Sequence, residues 1–415
     1  VKIDRLVVLG MLPVVLASGA HAQSSTSGSG GHGIELASAD GELRLRLRGY
    51  VQLDGRWFTG DDGRATDTLI VRRARPILEG TLYGRFGFRI MPDFGGGKSE
   101  LTDGWVEARF AKVATLRAGK LKPPLGLERL QSAIDLALVE RGLPTGLVPY
   151  RDIGIQLSGE IAAGRLGYEV GVFNGVIDGG GADSDAGDAK EIVGRLVWRP
   201  LTAGAGTDRG DLGLGLAASR GDETGTAAAP ALASYRSPGQ QTFFTYRSDG
   251  TVPGTTVAAG RRARWAPQGW FYRGPYGVLA EWVSSSQRVA RDGASTELAH
   301  TAWQVQLSWV PTGERNSFRG VAPRQSAGSD GGRGAWLVAL RASGLSIDSK
   351  AFPVFADSDR GARRARALGA AVSWNLRRDV RWMLDYEWTR FDGGAAGGAD
   401  RGDERVLSTR FQIAF

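Results

Sequence analysis

The sequence predicts an all-β chain: a 16-stranded antiparallel transmembrane β-barrel with short periplasmic turns and long extracellular loops. Three observations predict it. Apolar and polar residues alternate with period two in segment after segment. No segment is apolar for 18 residues, so no stretch suits a membrane-spanning helix. The links between alternating segments are mostly short and long in turn, the asymmetry of a transmembrane barrel.

The elements follow in order. Residues 1–22 read as a signal peptide, with Lys2 and Arg5 before the apolar run Leu6 to Leu16, then Ala20-His21-Ala22 as the cleavage signal. That run is too short to span a bilayer, and Pro13 interrupts it. Residues 23–42 are rich in Ser and Gly and read as a flexible leader. The barrel domain takes residues 43–415. Its first strand alternates strictly from Leu43 to Asp54: Leu43, Leu45, Leu47, Val51 and Leu53 on one face, Arg44, Arg46, Arg48, Tyr50, Gln52 and Asp54 on the other. The same period places strands near 43–58, 68–82, 85–94, 101–111, 113–120, 151–161, 165–174 and 189–199, and again near 210–220, 263–272, 275–290, 297–310, 333–347, 365–377, 380–391 and 404–415. The number is even, as a single-chain bacterial barrel needs. Links such as Tyr83-Gly84, Lys112, Gly274 and Arg378-Asp379 are short; 59–67, 121–150, 175–188, 221–262, 348–364 and 392–403 are long. The link 311–332 is long on the short-turn side. A soluble sandwich would also alternate. Aromatic residues near strand ends (Trp57, Trp198, Trp309, Trp388, Phe415) favour interfacial girdles instead.

Composition narrows the chemistry. There is no Cys, which excludes disulfides and thiolate sites, and the three His are His21, His32 and His300. No metal, cofactor or catalytic apparatus is expected, and the chain reads as a non-enzyme. Basic residues exceed acidic ones, 52 to 44, and only seven of them are Lys. Arg binds oxyanions through a planar fork that keeps its charge. Arg44, Arg46 and Arg48 share one strand face at roughly 6.6–7 Å spacing. They form an arginine ladder in the lumen, or, for Arg44, a solvated strand end. Parity turns Arg73 and Arg75 inward and Arg72 toward lipid, unless a bulge intervenes. Lys120 and Lys122 flank the start of Pro123-Pro124 and either extend the basic path or are solvated. Asp54, Glu79, Glu107, Glu169, Asp385 and Glu387 fall on lumen positions and would offset part of that charge. Asp178, Asp183, Asp185 and Asp188 make loop 175–188 acidic, a solvated loop or a divalent-cation bridge to lipopolysaccharide. Loop 221–262 carries arginines that could fold inward. His300 shares parity with Gln304 and points to the lumen.

Several segments resemble the phosphate-selective porin family of outer-membrane proteins, the porin O/P type. They are Gly49-Tyr-Val-Gln-Leu-Asp54, Arg72-Arg-Ala-Arg75 leading to Glu79-Gly-Thr81, Met91-Pro-Asp-Phe94, Gly119-Lys-Leu-Lys-Pro-Pro-Leu-Gly-Leu-Glu-Arg129, Glu140-Arg-Gly-Leu-Pro144, Arg151-Asp-Ile-Gly-Ile-Gln-Leu-Ser-Gly159, Gly334-Ala-Trp-Leu-Val-Ala-Leu-Arg341 and Arg410-Phe-Gln-Ile-Ala-Phe415. The resemblance implies a homotrimer of sixteen-stranded barrels in the outer membrane of a Gram-negative bacterium, with the third loop, 121–150, folded into each pore. It places Arg72 and Arg73 at the constriction and carries anion-site roles onto Asp103, Arg129, Ser132 and Arg141. It also implies passive uptake of small inorganic anions: phosphate, with polyphosphate or chloride as further candidates. Outer-membrane lipid and lipopolysaccharide are the expected surroundings, and nucleic acid is not a partner. The chain departs from the best-known phosphate-selective members. Arg129 stands where they have Lys, Ala133 where they have a second Ser, and Gly87 where they have a further Lys. The expectation is therefore an anion-selective channel with an Arg/Lys-lined constriction; the alternative is a general diffusion porin of weak selectivity.

Overall fold

The computed structural model describes residues 33–60, 65–184, 187–202, 210–328 and 331–415. Sixteen antiparallel strands close into a barrel. They are β1 Leu43–Phe58, β2 Thr68–Leu82, β3 Phe86–Asp93, β4 Glu100–Ala111, β5 Ala114–Leu121, β6 Asp152–Ile161, β7 Leu166–Phe173, β8 Glu191–Leu201, β9 Asp211–Thr224, β10 Val257–Arg273, β11 Tyr276–Arg291, β12 Ala294–Trp309, β13 Ala335–Ser346, β14 Ala362–Asn375, β15 Val380–Gly393 and β16 Glu404–Ala414. Each pairs with its neighbours in sequence, and β16 closes on β1 from Val406↔Phe58 to Ala414↔Tyr50. Every predicted strand is present. The largest shift is in β10, which starts at Val257 rather than 263 because its register slips between Ala258 and Arg262. Gly260 lies at φ 120 in that slip, and the irregularity hides the alternation.

Alternation decides which residues meet lipid. On β1, Val51, Leu53 and Trp57 are exposed while Gln52, Asp54 and Arg56 are buried. On β16, Phe411 and Ile413 are exposed while Arg410 and Gln412 are buried. A barrel that buries its charges and exposes its Leu, Ile and Trp is turned inside out relative to a soluble core, as a lipid solvent demands. Tight turns close one end, at Tyr83-Gly84 and Gly274-Pro275. Tyr83 and Gly84 both have positive φ, 53 and 62, and the Arg85 N–H closes the turn on the Leu82 carbonyl at 3.1 Å. Most long connectors lie at the other end, but the rule is not strict. Residues 310–334 form a long link at the tight-turn end, and Asp292-Gly293 forms a tight turn at the loop end.

The first strand outruns the last. Gly49 and Phe415 exchange backbone hydrogen bonds of 2.8 and 2.9 Å. Below that point a short strand, Ile34–Ala37, takes over the vacant edge of β1, from Ile34↔Leu47 to Ala37↔Arg44. Part of the stretch read as a flexible leader is thus ordered, because it covers otherwise unpaired backbone groups. Residues 1–22, read as a signal peptide, lie outside the described residues.

Two long loops fold into the lumen. Residues 122–151 carry Leu125, Leu127, Leu136, Leu138 and Leu147, each no more than 1% exposed. Burying each contributes about 1.5–3 kcal/mol, so the loop is packed rather than draped. Residues 225–256 bring in the short hairpin Tyr235–Arg236 and Thr242–Phe244, whose Phe243 and Phe244 are fully buried. Phe244 meets Tyr235, Tyr246 and Phe352 at ring separations of 5.7, 5.1 and 5.9 Å. These aromatics fill the lumen beside β12 to β15. Open space is left against β1 to β7.

Candidate functional site

The wall facing that space is built by strand parity. Arg48 and Tyr50 of β1, Arg75 and Ile77 of β2, Arg89 of β3, Asp103 and Trp105 of β4, and Arg117 of β5 all point inward. Between β1 and β2 the register runs Gln52↔Arg73, then Leu53↔Val71, so Arg72 is the additional residue of a bulge. Strict alternation aims Arg72 at lipid. The bulge turns it inward, where it donates to Glu140 Oε1 at 2.6 Å and Oε2 at 3.3 Å.

A cavity of about 280 Å³ lies between this wall and loop 122–151, and Lys122, Ser132 and Arg141 line it from the loop side. A second space, about 420 Å³, shares Arg89, Trp105 and Arg117 with the first and leads to Arg44 and Arg46. Glu35, Glu79 and Glu107 line the second space beside its arginines. The Trp105 ring is faced by Arg117 at 4.1 Å and Arg89 at 5.4 Å, which fixes both guanidiniums.

The wall arginines are largely paired with carboxylates. Arg46 pairs with Glu35, Arg48 with Glu79 and Arg75 with Asp93, each at 2.7 Å. Glu79 also touches Arg89, and Glu107 holds Arg117 at 2.6 Å and contacts Arg109. Asp103 accepts from Arg151 at 2.6 Å and lies 3.5 Å from Arg89, so it positions one guanidinium beside the cavity. Arg75 also donates to the hydroxyls of Tyr50 and Tyr150, at 2.9 and 2.5 Å. Arg73 donates to Gln52 Oε1 at 2.7 Å.

The loop cations are held differently. Lys122 donates to the carbonyls of Leu130 and Gln131 at 3.1 and 2.9 Å. Arg141 donates to the carbonyls of Glu128 and Gln131 at 3.0 and 2.8 Å, and Arg129 to that of Thr145 at 2.5 Å. Among the described residues none of the three forms an ion pair. Carbonyls orient a cation without cancelling its charge. Burial, with repulsion from Arg151 and Arg141, lowers the Lys122 pKa well below the ordinary lysine range. An anion in the cavity would relieve that penalty.

The loop itself is pinned by carboxylates. Glu281 of β11 accepts the Leu127 N–H at 2.6 Å and the Glu128 N–H at 3.2 Å. Glu128 accepts the Gly142 N–H at 2.8 Å and pairs with Arg341 at 3.2 Å. Asp385 of β15 accepts the Val139 N–H at 3.0 Å. Glu140 bridges to Arg56 at 2.8 Å besides Arg72. Burial would raise its pKa, but the guanidiniums of Arg72, Arg73, Arg56 and Arg410 outweigh it and hold the carboxyl well below its ordinary value.

The structure does not bring every expected residue to the cavity. Lys120 lies on the opposite strand face from Arg117, paired with Ile153 in register and bound to Asp183 at 2.5 Å. Alternation alone would put Lys120 and Lys122 on one face; the strand ends at Leu121, between them, and Lys122 belongs to the loop. Arg129 sits behind Tyr150 rather than on the lining, 5.4 Å from the ring. Arg44 and Arg46 stay in the second space. Arg89, Arg117 and Arg151 join the lining without having been singled out. For Arg89 and Arg117 the signal is parity, since each stands on the face opposite its strand's apolar residues; Arg151 precedes β6 with the parity of Ile153 and Ile155, and alternation does not mark it. Asp178 is taken by Arg264 at 2.7 Å, which with Asp183 leaves little of the acidic loop for cations, and Asp185 lies outside the described residues. His300 is buried in the lumen, accepts the Asp348 N–H at Nδ1 at 3.0 Å, and meets the Tyr246 hydroxyl at 2.7 Å.

Residues 44–415 match the sequence profile of the family described as phosphate-selective porin O and P. The chain belongs to that family. It is an outer-membrane porin, a member of a group of channel proteins rather than enzymes. No curated protein sequence matches this porin. Its fold is shared with the outer membrane channel DcaP of Acinetobacter baumannii, at TM-score 0.58 and 12% identity over 91% of this chain and 99% of that one. An anion-selective porin from Comamonas acidovorans gives TM-score 0.56 and 13% identity over 90% of the porin and 100% of that chain. OmpT of Vibrio cholerae gives 0.53 and 10% identity over 89% and 98%. At such identities the likeness concerns the fold.

Proposed function

We propose that this porin is an anion-selective channel for passive uptake of phosphate or related oxyanions, with its constriction at the cavity under loop 122–151. One observation carries the reading. Lys122 and Arg141 face the cavity, Arg129 stands behind them, and all three are held by carbonyls instead of carboxylates. An anion there can exchange water for N–H donors, and the low-dielectric walls focus the field of the uncancelled charge. Asp103 beside Arg151 tempers the site so that the ion leaves again. Arg72 takes part through loop 122–151, bonded to Glu140, and Arg73 through Gln52 of β1, which donates to the loop carbonyl of Ala133 at 3.0 Å. Ser132 offers a hydroxyl at the same lining. Assembly as a homotrimer and export by a cleaved signal peptide at residues 1–22 belong to the same proposal.

The competing reading is a general diffusion pore of weak selectivity. The pairing of Arg48, Arg75 and Arg117 with carboxylates favours it. The two part in a planar bilayer. Selective passage gives an anion-signed reversal potential in a KCl gradient and block of chloride current by phosphate. A general pore gives a potential near zero and no block.

A further inference from the structure

We propose that the outward face of β14 to β16 is a binding site for a phosphorylated lipid of the outer leaflet, with Arg366, Arg390 and Arg405 as its headgroup ligands. All three are exposed, and the side chains of Arg366 and Arg390 are 55% and 65% accessible. They cluster through register, Arg366↔Arg390 across β14 and β15 and Trp388↔Arg405 across β15 and β16. Arg364, one pleat above Arg366, adds a fourth charge. Among the described residues, two carboxylates answer these four. Asp392 takes Arg366 at 2.7 Å and Arg364 at 3.4 Å, and Asp403 takes Arg390 at 3.5 Å. The patch therefore keeps an excess of positive charge. Elsewhere on the barrel Arg261 is matched by Glu297 at 2.8 Å and Arg199 by Glu160 at 3.2 Å, while Arg220 and Arg288 stand singly rather than in a cluster.

Height and layering point to a lipid. The tight-turn end of this face carries the outward pair Trp374↔Trp382. Arg366 and Arg390 stand eight residues along their strands from it. At about 3.3 Å per residue and a tilt near 40°, that is roughly 20 Å of height, close to the ~25 Å of a barrel's apolar band. The arginines thus stand at the headgroup level on the loop side. Directly below them lie Leu368, 56% exposed, and the Trp388 ring, over which Arg390 stacks at 4.8 Å. A molecule carrying phosphate above acyl chain satisfies both layers, whereas a free phosphate satisfies only the upper one. The lumen takes no part, so this inference stands apart from the pore's selectivity.

The test uses the full-length porin in detergent, titrated in native mass spectrometry with bis-phosphorylated lipid A, with the same lipid stripped of phosphate, and with inorganic phosphate. The phosphorylated lipid should bind at least tenfold tighter than the stripped one, and inorganic phosphate at equal concentration should not compete. The triple variant Arg366→Gln/Arg390→Gln/Arg405→Gln should lose that preference while its single-channel conductance stays at the wild-type value. Arg390→Gln alone should lose part of it, should the triple variant fail to assemble. Equal affinity for both lipids overturns the proposal. So does competition by inorganic phosphate, which would mean a free-anion patch. A triple variant that changes subunit stoichiometry and keeps the lipid preference would mark a contact between subunits instead.

Discussion

Replacing Glu140 by Gln removes the carboxylate that ties loop 122–151 to the arginines of β1 and β2. The wild-type side chain receives Arg72 at 2.6 Å and Arg56 at 2.8 Å, with Arg410 and Arg73 at 3.8 and 3.9 Å. Arg56 and Arg73 are buried, so the variant leaves guanidiniums short of counter-charge, while Arg410 keeps Asp54 at 2.7 Å. Removing one partner of a buried pair costs roughly 3–5 kcal/mol. Arg72 is about a quarter exposed, which puts the effect near the lower end, about 3 kcal/mol. Each 1.4 kcal/mol is about a factor of ten, so local opening of this loop segment should rise on the order of a hundredfold. Two amides report it. The Val139 N–H is held by Asp385 and the Gly142 N–H by Glu128, on either side of residue 140. Hydrogen exchange at both should accelerate by about that factor in Glu140→Gln. Exchange at Leu127, pinned separately by Glu281, should change much less. Single-channel conductance should become noisier as the loop loosens. Acid should mimic the variant only late. The Glu140 pKa is depressed, so its contribution is present above the ordinary carboxylate value and is lost as pH falls through the lowered one. Unchanged exchange at Val139 and Gly142 would refute the view that this carboxylate holds the constriction loop in place.

Arg141→Ala should weaken phosphate block ten- to hundredfold, the loss of one charge-assisted hydrogen bond worth about 1.5–3 kcal/mol, measured by titrating chloride current. Asp103→Asn should do the reverse, tightening phosphate block and slowing phosphate current, because Arg151 loses the partner it holds at 2.6 Å. Block by sulfate, whose charge is constant, should fade as pH rises through a value below the free-lysine 10.4 or so, and Lys122→Arg should abolish that step. Burial pushes the Asp135 carboxyl up to about 7 despite the pull of Arg381 and Arg319. It loses its charge as pH falls through that value, so chloride-over-potassium selectivity should rise between pH 8 and pH 6, and Asp135→Asn should show no such step.

The barrel was legible because lipid imposes a strict two-residue period. Leu53 and Phe411 are exposed while Asp54 and Arg410 are buried, as parity demands, and those two charges meet across the closing seam at 2.7 Å. The bulge at Arg72 was not legible. A bulge arises from how two strands share register, and one strand's sequence does not contain its partner's offset. Lys120 was misread for a related reason. Its closeness to Lys122 in sequence says nothing about the strand's end falling between them, which puts one on the wall's far face and the other in the loop. The pinning of loop 122–151 was hidden as well. Asp385 and Glu387 read as neutralisers of the arginine wall, yet Asp385 accepts a loop amide and Glu387 contacts Arg341. Contacts between residues more than two hundred positions apart leave no local pattern. The inward fold of 225–256 was raised by its arginines, whereas it is the aromatics Tyr235, Phe243 and Phe244 that seat it.

The most direct test of the account is the reversal potential of the purified porin in a planar bilayer under a KCl gradient, repeated with Lys122→Ala/Arg141→Ala. Carbonyl-held cations at the constriction predict an anion-signed potential in the wild type that falls toward zero in the double variant, with loss of phosphate block. A wild-type potential near zero, or an anion-signed potential that the double variant retains in full, would contradict it.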